Sequence, residues 1–194
     1  MIRGNGFILR TVRESDLDAF HQGIADVEGR GDYMSPHVAS QSAFRKEFEE
    51  TGFWTETQGR MLIFDPEERL LGHIGFFRPV FYSDAMEVGY QLYHASSRRK
   101  GLMTEVLRLF CSFLFSYRPV YRLQLGIQVG NVASRRVAEK VGFRSEGILR
   151  GFVFQRGAHH DVEILSLLRG EMEPIAPFTP LPGGRDALPL SLEP

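Results

Sequence analysis

One stretch, residues 87–114, constrains the fold more than any other part of this 194-residue chain. It opens with a strand-like apolar run at Val88–Tyr93, continues through three adjacent basic residues to Gly101, and then forms an amphipathic helix. A strand that turns through a basic, glycine-containing loop into a helix forms an anion site, because unpaired amides and the positive end of the helix dipole point outward there. The stretch therefore predicts a site for a phosphate-bearing ligand. The apolar residues that recur at the spacing of one helical face are Leu102, Val106, Leu109, Phe110 and Phe113.

The three adjacent basic residues can also be interpreted more simply. Arg98, Arg99 and Lys100 could be an ordinary solvated surface loop. Gly101 favours the ligand site, because a glycine at the turn allows the backbone to approach a bound group closely.

Bulk properties limit the classes of protein to consider. A chain that is 43% hydrophobic can bury one sizeable core, so we expect one domain. A net charge of −1 gives no overall attraction to nucleic acid or to an anionic membrane. Cys111 is the only cysteine, which excludes an internal disulfide and suits a reducing compartment. With no signal pattern and no apolar run of about 20 residues, we expect a cytoplasmic protein.

The periodicity predicts an α/β fold with a mixed sheet, in the order strand, two helices, three strands, helix, strand, helix and two strands. Ser15, with Asp18 three residues later, predicts a capping box at the start of a helix that runs to about Val27. The predicted strands are Phe7–Val12, Met61–Phe64, Leu70–Phe77, Glu87–Leu92, Tyr121–Val129, Gly147–Phe154 and Asp161–Leu168. The other predicted helices are Gln41–Thr51, the helix after Gly101, and Ala133–Val141.

Two motifs carry a resemblance to a known family. Residues 98–103, Arg-Arg-Lys-Gly-Leu-Met, resemble the Arg/Gln-x-x-Gly-x-Gly/Ala pyrophosphate loop of the GNAT N-acetyltransferase superfamily. The segment from Asn131 and Ser134 to Gly142 and Phe143 is similar to that of the branch with ribosomal-protein N-terminal acetyltransferases and related antibiotic acetyltransferases. Met103 departs from the pattern, because the family has Gly or Ala at this position.

The resemblance implies the GNAT fold: a mostly antiparallel central sheet flanked by helices, with splayed strands at an acyl-CoA site. It implies that acetyl-CoA binds through amides of the strand before the loop, through the loop and through the helix start. The implied residues are Leu92, Tyr93, His94, Arg98, Arg99, Lys100, Gly101, Met103, Thr104 and Asn131. Asn131 could also be only a cap for the helix that follows it.

The candidate catalytic residues are Ser134, which the resemblance implies, and Glu87, which replaces a glutamate of some relatives. Ser134 matches the position that is proposed, in the ribosomal N-terminal acetyltransferase branch, to protonate the leaving thiolate. Because a serine hydroxyl is a poor acid, we expect it to hydrogen-bond the thiolate, although it could be only a small residue in the first helical turn. Val153 stands where some relatives have a glutamate, so Glu87 becomes the best candidate base, with Asp84, His73 and His94 as alternatives. A peptide α-amine, with a pKa near 8, needs less help from a base than a lysine-like amine near 10.4.

We expect the acceptor to be a protein N-terminus or a small-molecule or antibiotic amine, and the protein to be a monomer or homodimer without nucleic-acid or membrane partners. Tyr33, Met34, Phe53 and Trp54 could line an acceptor pocket or belong to the core. No metal site is expected, because His159 and His160 are adjacent on a strand and point to opposite faces.

The last part of the chain differs in composition. Six of the ten prolines fall after Gly170, which favours an extended segment. We therefore predict a domain at residues 1–170 and a Pro-rich extension at 171–194, which could pack on the surface, be disordered or reach a partner. The alternative to an enzyme is an acyl-CoA-binding protein without turnover, suggested by Met103 and Val153.

Overall fold

The computed structural model describes residues 1–26, 31–34, 40–173, 175 and 178. These residues form one eight-stranded sheet in the spatial order β1-β2-β3-β4-β5-β6-β8-β7. Neighbouring strands are antiparallel except for β5 and β6, which run parallel, so the predicted mixed sheet is confirmed. The strands are β1 (Ile2–Gly4), β2 (Phe7–Thr11), β3 (Gln58–Phe64), β4 (Leu70–Phe77), β5 (Met86–Leu92), β6 (Arg122–Gln128), β7 (Arg144–Gln155) and β8 (Ala158–Leu168).

The α-helices of the described residues are α1 (Leu17–Ala25), α2 (Gln41–Thr51), α3 (Leu102–Tyr117) and α4 (Val132–Val141). The bounds predicted for α2 are confirmed. Its first turn is capped by Ser40, whose Oγ accepts a hydrogen bond from the Ala43 amide at 3.2 Å, and it ends at Gly52 in the left-handed region.

The sheet separates two cores, which the alternation along β3 makes plain. Met61 and Ile63 face a large core beneath α3 and α4, whereas Leu62 and Phe64 face a smaller core beneath α1 and α2. Helices therefore cover both faces of the sheet. β3 is apolar on both sides for this reason, and simple alternation of apolar and polar residues does not occur there.

Helix α3 is buried more completely than one amphipathic face would require. Besides the predicted apolar stripe, Leu107, Cys111, Leu114 and Phe115 are buried, because the sheet, α4 and residues near the carboxyl end all pack against this helix. Cys111 is fully enclosed, and burial raises the pKa of its thiol, as expected for a packed cysteine.

In the first 26 residues one strand was missed and one expectation was wrong. β1 was not predicted, because three residues carry too little periodicity to read. The first helix does not begin in a capping box at Ser15. A 3-10 turn, Glu14–Asp16, comes first, and Asp16 Oδ2 accepts the Arg13 amide at 2.7 Å. Asp16 also pairs with Arg10, so the turn is tied to β2. Val27, the predicted end of the helix, lies outside the described residues.

The start of the predicted extension packs on α3. Ser116 Oγ donates to the Phe178 carbonyl at 3.0 Å, and the Phe178 ring packs against Phe113 and Tyr117. Most of the predicted extension, including residues 179–194, lies outside the described part of the chain. Among the helices described, none is long and apolar enough to cross a membrane.

Candidate active site

Strands β5 and β6 diverge soon after they begin. Their only paired residues are Met86 with Leu123 and Glu87 with Gln124, although β5 continues to Leu92 and β6 to Gln128. The Tyr93 amide donates to the Leu71 carbonyl of β4 at 3.0 Å. In an antiparallel ladder the main-chain groups alternate in direction, so those of Tyr90 and Leu92 point away from β4 into the gap. The gap is therefore lined by main-chain donors that no neighbouring strand satisfies.

The same alternation argues against one residue predicted to bind the cofactor, Tyr93. The amide of Tyr93 is bound to β4 and is not directed into the gap, so the geometry argues against a role for it in ligand binding. The Tyr93 hydroxyl lies 2.9 Å from His73 Nδ1 on the α1 side of the sheet. The amide of Leu92 faces the gap, and His94 lies beyond the strand in the wall of a cavity.

The loop after β5 turns sharply before α3. Arg99 and Gly101 both have positive φ, 63° and 81°, and Gly101 is the residue that caps the helix. The amides of Leu102 and Met103 lie in the first helical turn, where no earlier helical carbonyl reaches them. The Thr104 amide instead donates to the Gly101 carbonyl at 3.0 Å. Met103 turns its side chain into the core, so its difference from the family pattern leaves the helix start open.

A cavity of about 980 Å³ lies at this helix start. Its wall includes His94, Lys100, Gly101, Thr104, Arg108 and Lys140. The wall also contains Asp65, Arg69 and Glu105, so it has four cationic and two anionic side chains, and its net positive charge suits a ligand with several phosphate charges. The Arg98 guanidinium turns back to the Leu92 carbonyl at 3.2 Å, and neither Arg98 nor Arg99 belongs to the cavity wall.

Glu87 lies at the narrow end of the gap. Its Oε2 accepts a hydrogen bond from Gln124 Nε2 at 2.9 Å, which fixes the carboxylate over β6. A β-carbon at Gly126 would lie only 3.2 Å from Glu87 Oε1, so the glycine leaves room for this carboxylate. Burial raises the pKa of Glu87, which is the direction that brings a carboxylate toward use as a base near neutral pH.

Ser134 lies on the opposite side of the sheet, in the first turn of α4. Asn131 Oδ1 accepts the Ser134 amide at 3.1 Å, so Asn131 is the cap of α4. The Ser134 hydroxyl is 2.7 Å from the hydroxyl of Tyr90 on β5. Burial raises the pKa of Tyr90 to about 12. Sequence reasoning missed Tyr90, because alternation along β5 gives the face of this side chain but not its partner on α4.

The remaining candidate bases are placed less favourably. Asp84 is exposed and lies 4.0 Å from Arg78. The His73 ring is enclosed beside Phe20 and Tyr93, and loss of water lowers its pKa to about 3, so it is neutral near pH 7. Val153, at the position where some relatives have a glutamate, is on β7 and pairs with His160.

Only two of the four residues predicted to line an acceptor pocket lie near the ends of β6 and β7. Phe53 is buried in the core beneath α1 and α2, and Trp54 packs against Phe76 and Phe113. Tyr33 donates from its hydroxyl to the Gly130 carbonyl at 2.8 Å, just after β6.

A pair of glutamines ties the 31–34 segment to this end of the sheet. Gln155 Nε2 donates to the carbonyls of Asp32 and Met34, at 2.9 and 2.7 Å. Gln155 Oε1 in turn accepts from Gln128 Nε2 at 2.5 Å. The segment is thereby held beside the wide end of the gap.

Across the described ranges, no three His, Cys, Asp or Glu side chains lie close enough together to hold a metal ion.

Comparison with known structures identifies the fold. A spermidine N-acetyltransferase from Vibrio cholerae, in complex with CoA and spermine, superposes with a TM-score of 0.75 at 18% identity over 86% of this chain and 98% of its own. RimL, a ribosomal-protein α-N-acetyltransferase in complex with coenzyme A, gives 0.73 at 23% identity over 85% of this chain and 95% of its own. At these identities the likeness concerns the fold, which is that of the N-acetyltransferases.

Sequence comparison gives the family. The model of the acetyltransferase (GNAT) domain matches residues 7–144, so the chain belongs to the GNAT acetyltransferase family. It is 34% identical over 110 residues to a probable N-acetyltransferase of Bacillus subtilis, YjcK, covering 55% of this chain and 59% of that protein. It is 34% identical over 87 residues to YdaF, a putative ribosomal N-acetyltransferase of the same organism, covering 45% and 47%. The chain thus spans about half the length of the curated relatives it matches.

Proposed function

We propose that this protein transfers the acetyl group of acetyl-CoA to a primary amine. The observation that carries the proposal is the divergence of β5 and β6 immediately after Glu87 and Gln124. The divergence leaves main-chain donors of β5 without a strand partner on the side of the gap. The carboxylate of Glu87 is held at the narrow end of this gap. A gap of this kind, next to a helix start with unpaired amides, suits an extended thioester that ends in a diphosphate.

The residues present fit coenzyme A. The amides of Tyr90 and Leu92 face the gap and would bind the pantetheine arm, and one of them would polarise the thioester carbonyl. Gly101, the first amides of α3 and the ammonium groups of Lys100 and Lys140 in the cavity wall would hold the phosphates. Acetyl-CoA supplies the activated acetyl group.

Glu87 is the proposed base. Its carboxylate is oriented by Gln124 and removes a proton from the acceptor amine, either directly or through one water. Because burial raises its pKa, the ionised carboxylate is a stronger base than an ordinary surface glutamate. Ser134 donates a hydrogen bond to the leaving thiolate from the other face of the sheet, and water is the final proton source.

The acceptor is a protein N-terminus or a small amine. The solved relatives include a spermidine acetyltransferase and a ribosomal-protein acetyltransferase, and the two need different sites: a polyamine has several cationic groups, whereas a protein N-terminus has one amine. A peptide α-amine needs less help from Glu87 than a more basic amine does, because a useful fraction of it is already neutral near pH 7.

The test is a transfer assay that follows release of free coenzyme A with a panel of peptide amides, spermidine and aminoglycosides. We expect acetylation of one class, confirmed by the mass of the product. Binding of acetyl-CoA by calorimetry is measured in parallel. Tight binding without acetylation of any amine would contradict an enzyme and favour an acyl-CoA-binding protein. Absence of binding would contradict the site itself.

A further inference from the structure

The contact between Tyr90 and Ser134 joins the two sides of the gap. Tyr90 belongs to β5, and Ser134 belongs to the first turn of α4, which follows β6. Beyond the pair formed by Glu87 and Gln124, the two strands share no ladder pairing. The hydroxyl–hydroxyl contact of 2.7 Å is therefore a link across the gap at the level where α4 begins.

Either hydroxyl could donate in this contact, and the choice depends on where the Tyr90 proton goes. The Tyr90 hydroxyl has one proton and two possible acceptors, Ser134 Oγ at 2.7 Å and the Ser134 carbonyl at 3.3 Å. That carbonyl belongs to the first turn of α4, where it also accepts the amide four residues later. The arrangement that we favour has Tyr90 donating to Ser134 Oγ along the shorter contact, to an oxygen with two free lone pairs.

A serine hydroxyl that accepts from a tyrosine must direct its own proton elsewhere. The backbone amide of Ser134 is already bound to Asn131, so the hydroxyl is the free donor of this residue. Burial raises the pKa of Tyr90, and the phenol therefore keeps its proton and remains a donor throughout the neutral range.

We propose that Tyr90 is a positioning residue that fixes the Ser134 hydroxyl as a donor toward the sulfur of coenzyme A. The inference rests on the proposed function, in which Ser134 bonds the leaving thiolate. No covalent step is added: when the carbon–sulfur bond breaks, the electron pair stays on sulfur, Ser134 donates to it, and solvent delivers the proton.

The experiment uses coenzyme A alone as the probe, so it does not depend on the acceptor. The pKa of the bound thiol is measured from the ultraviolet absorbance of the thiolate in the full-length protein. A hydrogen bond to a charged group is worth enough to lower this pKa by about one unit. We expect Tyr90→Phe and Ser134→Ala each to remove the shift, and the double variant to remove no more than either alone.

The same variants are compared in turnover. We expect each single variant to lower kcat about tenfold with little change in the KM for acetyl-CoA, and the double variant to match Ser134→Ala. The matched control is Tyr93→Phe, which removes a tyrosine hydroxyl from the same end of β5, where its partner is His73. It should lower the melting temperature as Tyr90→Phe does but leave the thiol pKa unchanged.

Three results would overturn the inference: an unshifted thiol pKa in the wild-type complex, independent effects of the two substitutions, or a Tyr90→Phe variant with the wild-type pKa. If Tyr90→Phe does not fold, the thiol pKa of the Ser134→Ala complex decides, and a wild-type value there overturns the inference. A normal shift with no amine acetylated would instead contradict the proposed function and leave the positioning of Ser134 supported.

Discussion

Glu87 and Ser134 lie on opposite faces of the same sheet. Glu87 is held by Gln124 on the face that bears α1 and α2, whereas Ser134 is on α4, beneath the other face. In the proposed reaction the amine loses its proton on one face and the sulfur receives one on the other. In this proposal Glu87 passes its proton to solvent on one face, and solvent delivers a proton to the sulfur on the other, where Ser134 supplies only a hydrogen bond.

Replacing Glu87 with Gln tests its role as the base. The amide retains an oxygen that can accept from Gln124 but cannot take a proton, so we expect kcat/KM to fall by about 100-fold or more. The wild-type rate should rise with pH as Glu87 ionises, and this limb should lie above the ordinary glutamate range because burial raises the pKa. The pH dependence of kcat/KM is the measurement. A variant with the same pH limb as the wild type would exclude Glu87 as the base.

The raised pKa of Glu87 also affects stability. Because the folded protein binds this proton more tightly than the unfolded chain, stability decreases as the pH rises from the ordinary value of 4.5 through the raised value. Glu87→Gln has no carboxylate to ionise at this position and therefore does not lose this stability. We expect its melting temperature to rise relative to that of the wild type as the pH increases across this window. Glu50→Gln, on the exposed side of α2, is the control for loss of one carboxylate. A constant difference between Glu87→Gln and the wild type would contradict the prediction.

At the scale of elements, the turn between β5 and α3 depends on backbone shape more than on charge. Gly101 has φ of 81° and open space beside it, so a valine there is opposed by backbone strain rather than by a neighbouring atom. We expect Gly101→Val to shift the helix start and to weaken acetyl-CoA binding at least about 100-fold, measured by calorimetry.

Gly52 provides the matched control for this substitution. It also caps a helix, with φ of 59° and open space, but it lies at the carboxyl end of α2. Gly52→Val should lower the melting temperature to a similar extent and leave acetyl-CoA affinity unchanged. If both variants bind acetyl-CoA as the wild type does, the helix start is not the phosphate site.

The sequence predicted most elements because their apolar residues follow regular periods. The bounds of α2 and β4 were predicted correctly, and β5 differed by one residue. Long-range contacts could not be predicted from one sequence. The link from Tyr90 to Ser134 joins residues 44 positions apart, and the position of Gln155 beneath the 31–34 segment spans more than 120. Tyr93 was assigned to the ligand because the order of strands, which fixes the direction of each amide, is a tertiary property.

At the scale of the whole molecule, Arg169 ties the end of the sheet to the central helix. Its guanidinium donates to the carbonyls of Phe115, Arg118 and Val120, at the carboxyl end of α3 and in the turn that follows. These carbonyls have no helical partner of their own. One side chain thus satisfies the carbonyls at the end of α3 that lies opposite the proposed phosphate site.

Replacing Arg169 with Met should therefore destabilise the fold. Three acceptors lose a charged donor, and we expect a loss of about 3 kcal/mol in the free energy of unfolding. For a chain of this size that corresponds to about 6–12 °C in melting temperature. Urea unfolding is the measurement, and acetyl-CoA affinity should persist below the transition. Arg144→Met, which removes an exposed ion pair with Glu171, should cost about 1 kcal/mol or less. Equal losses for the two variants would contradict the role of Arg169.

The short junction between β5 and β6 divides the sheet into two panels. Two residue pairs join a panel of five strands to a panel of three, and the helices hold the panels together elsewhere. A pantetheine arm bound in the gap would contact both panels and restrict their motion relative to each other. Amide hydrogens of Tyr90 and Leu92 should then exchange with deuterated solvent more slowly once coenzyme A is bound. The relative motion of the two panels should be smallest in the complex with coenzyme A.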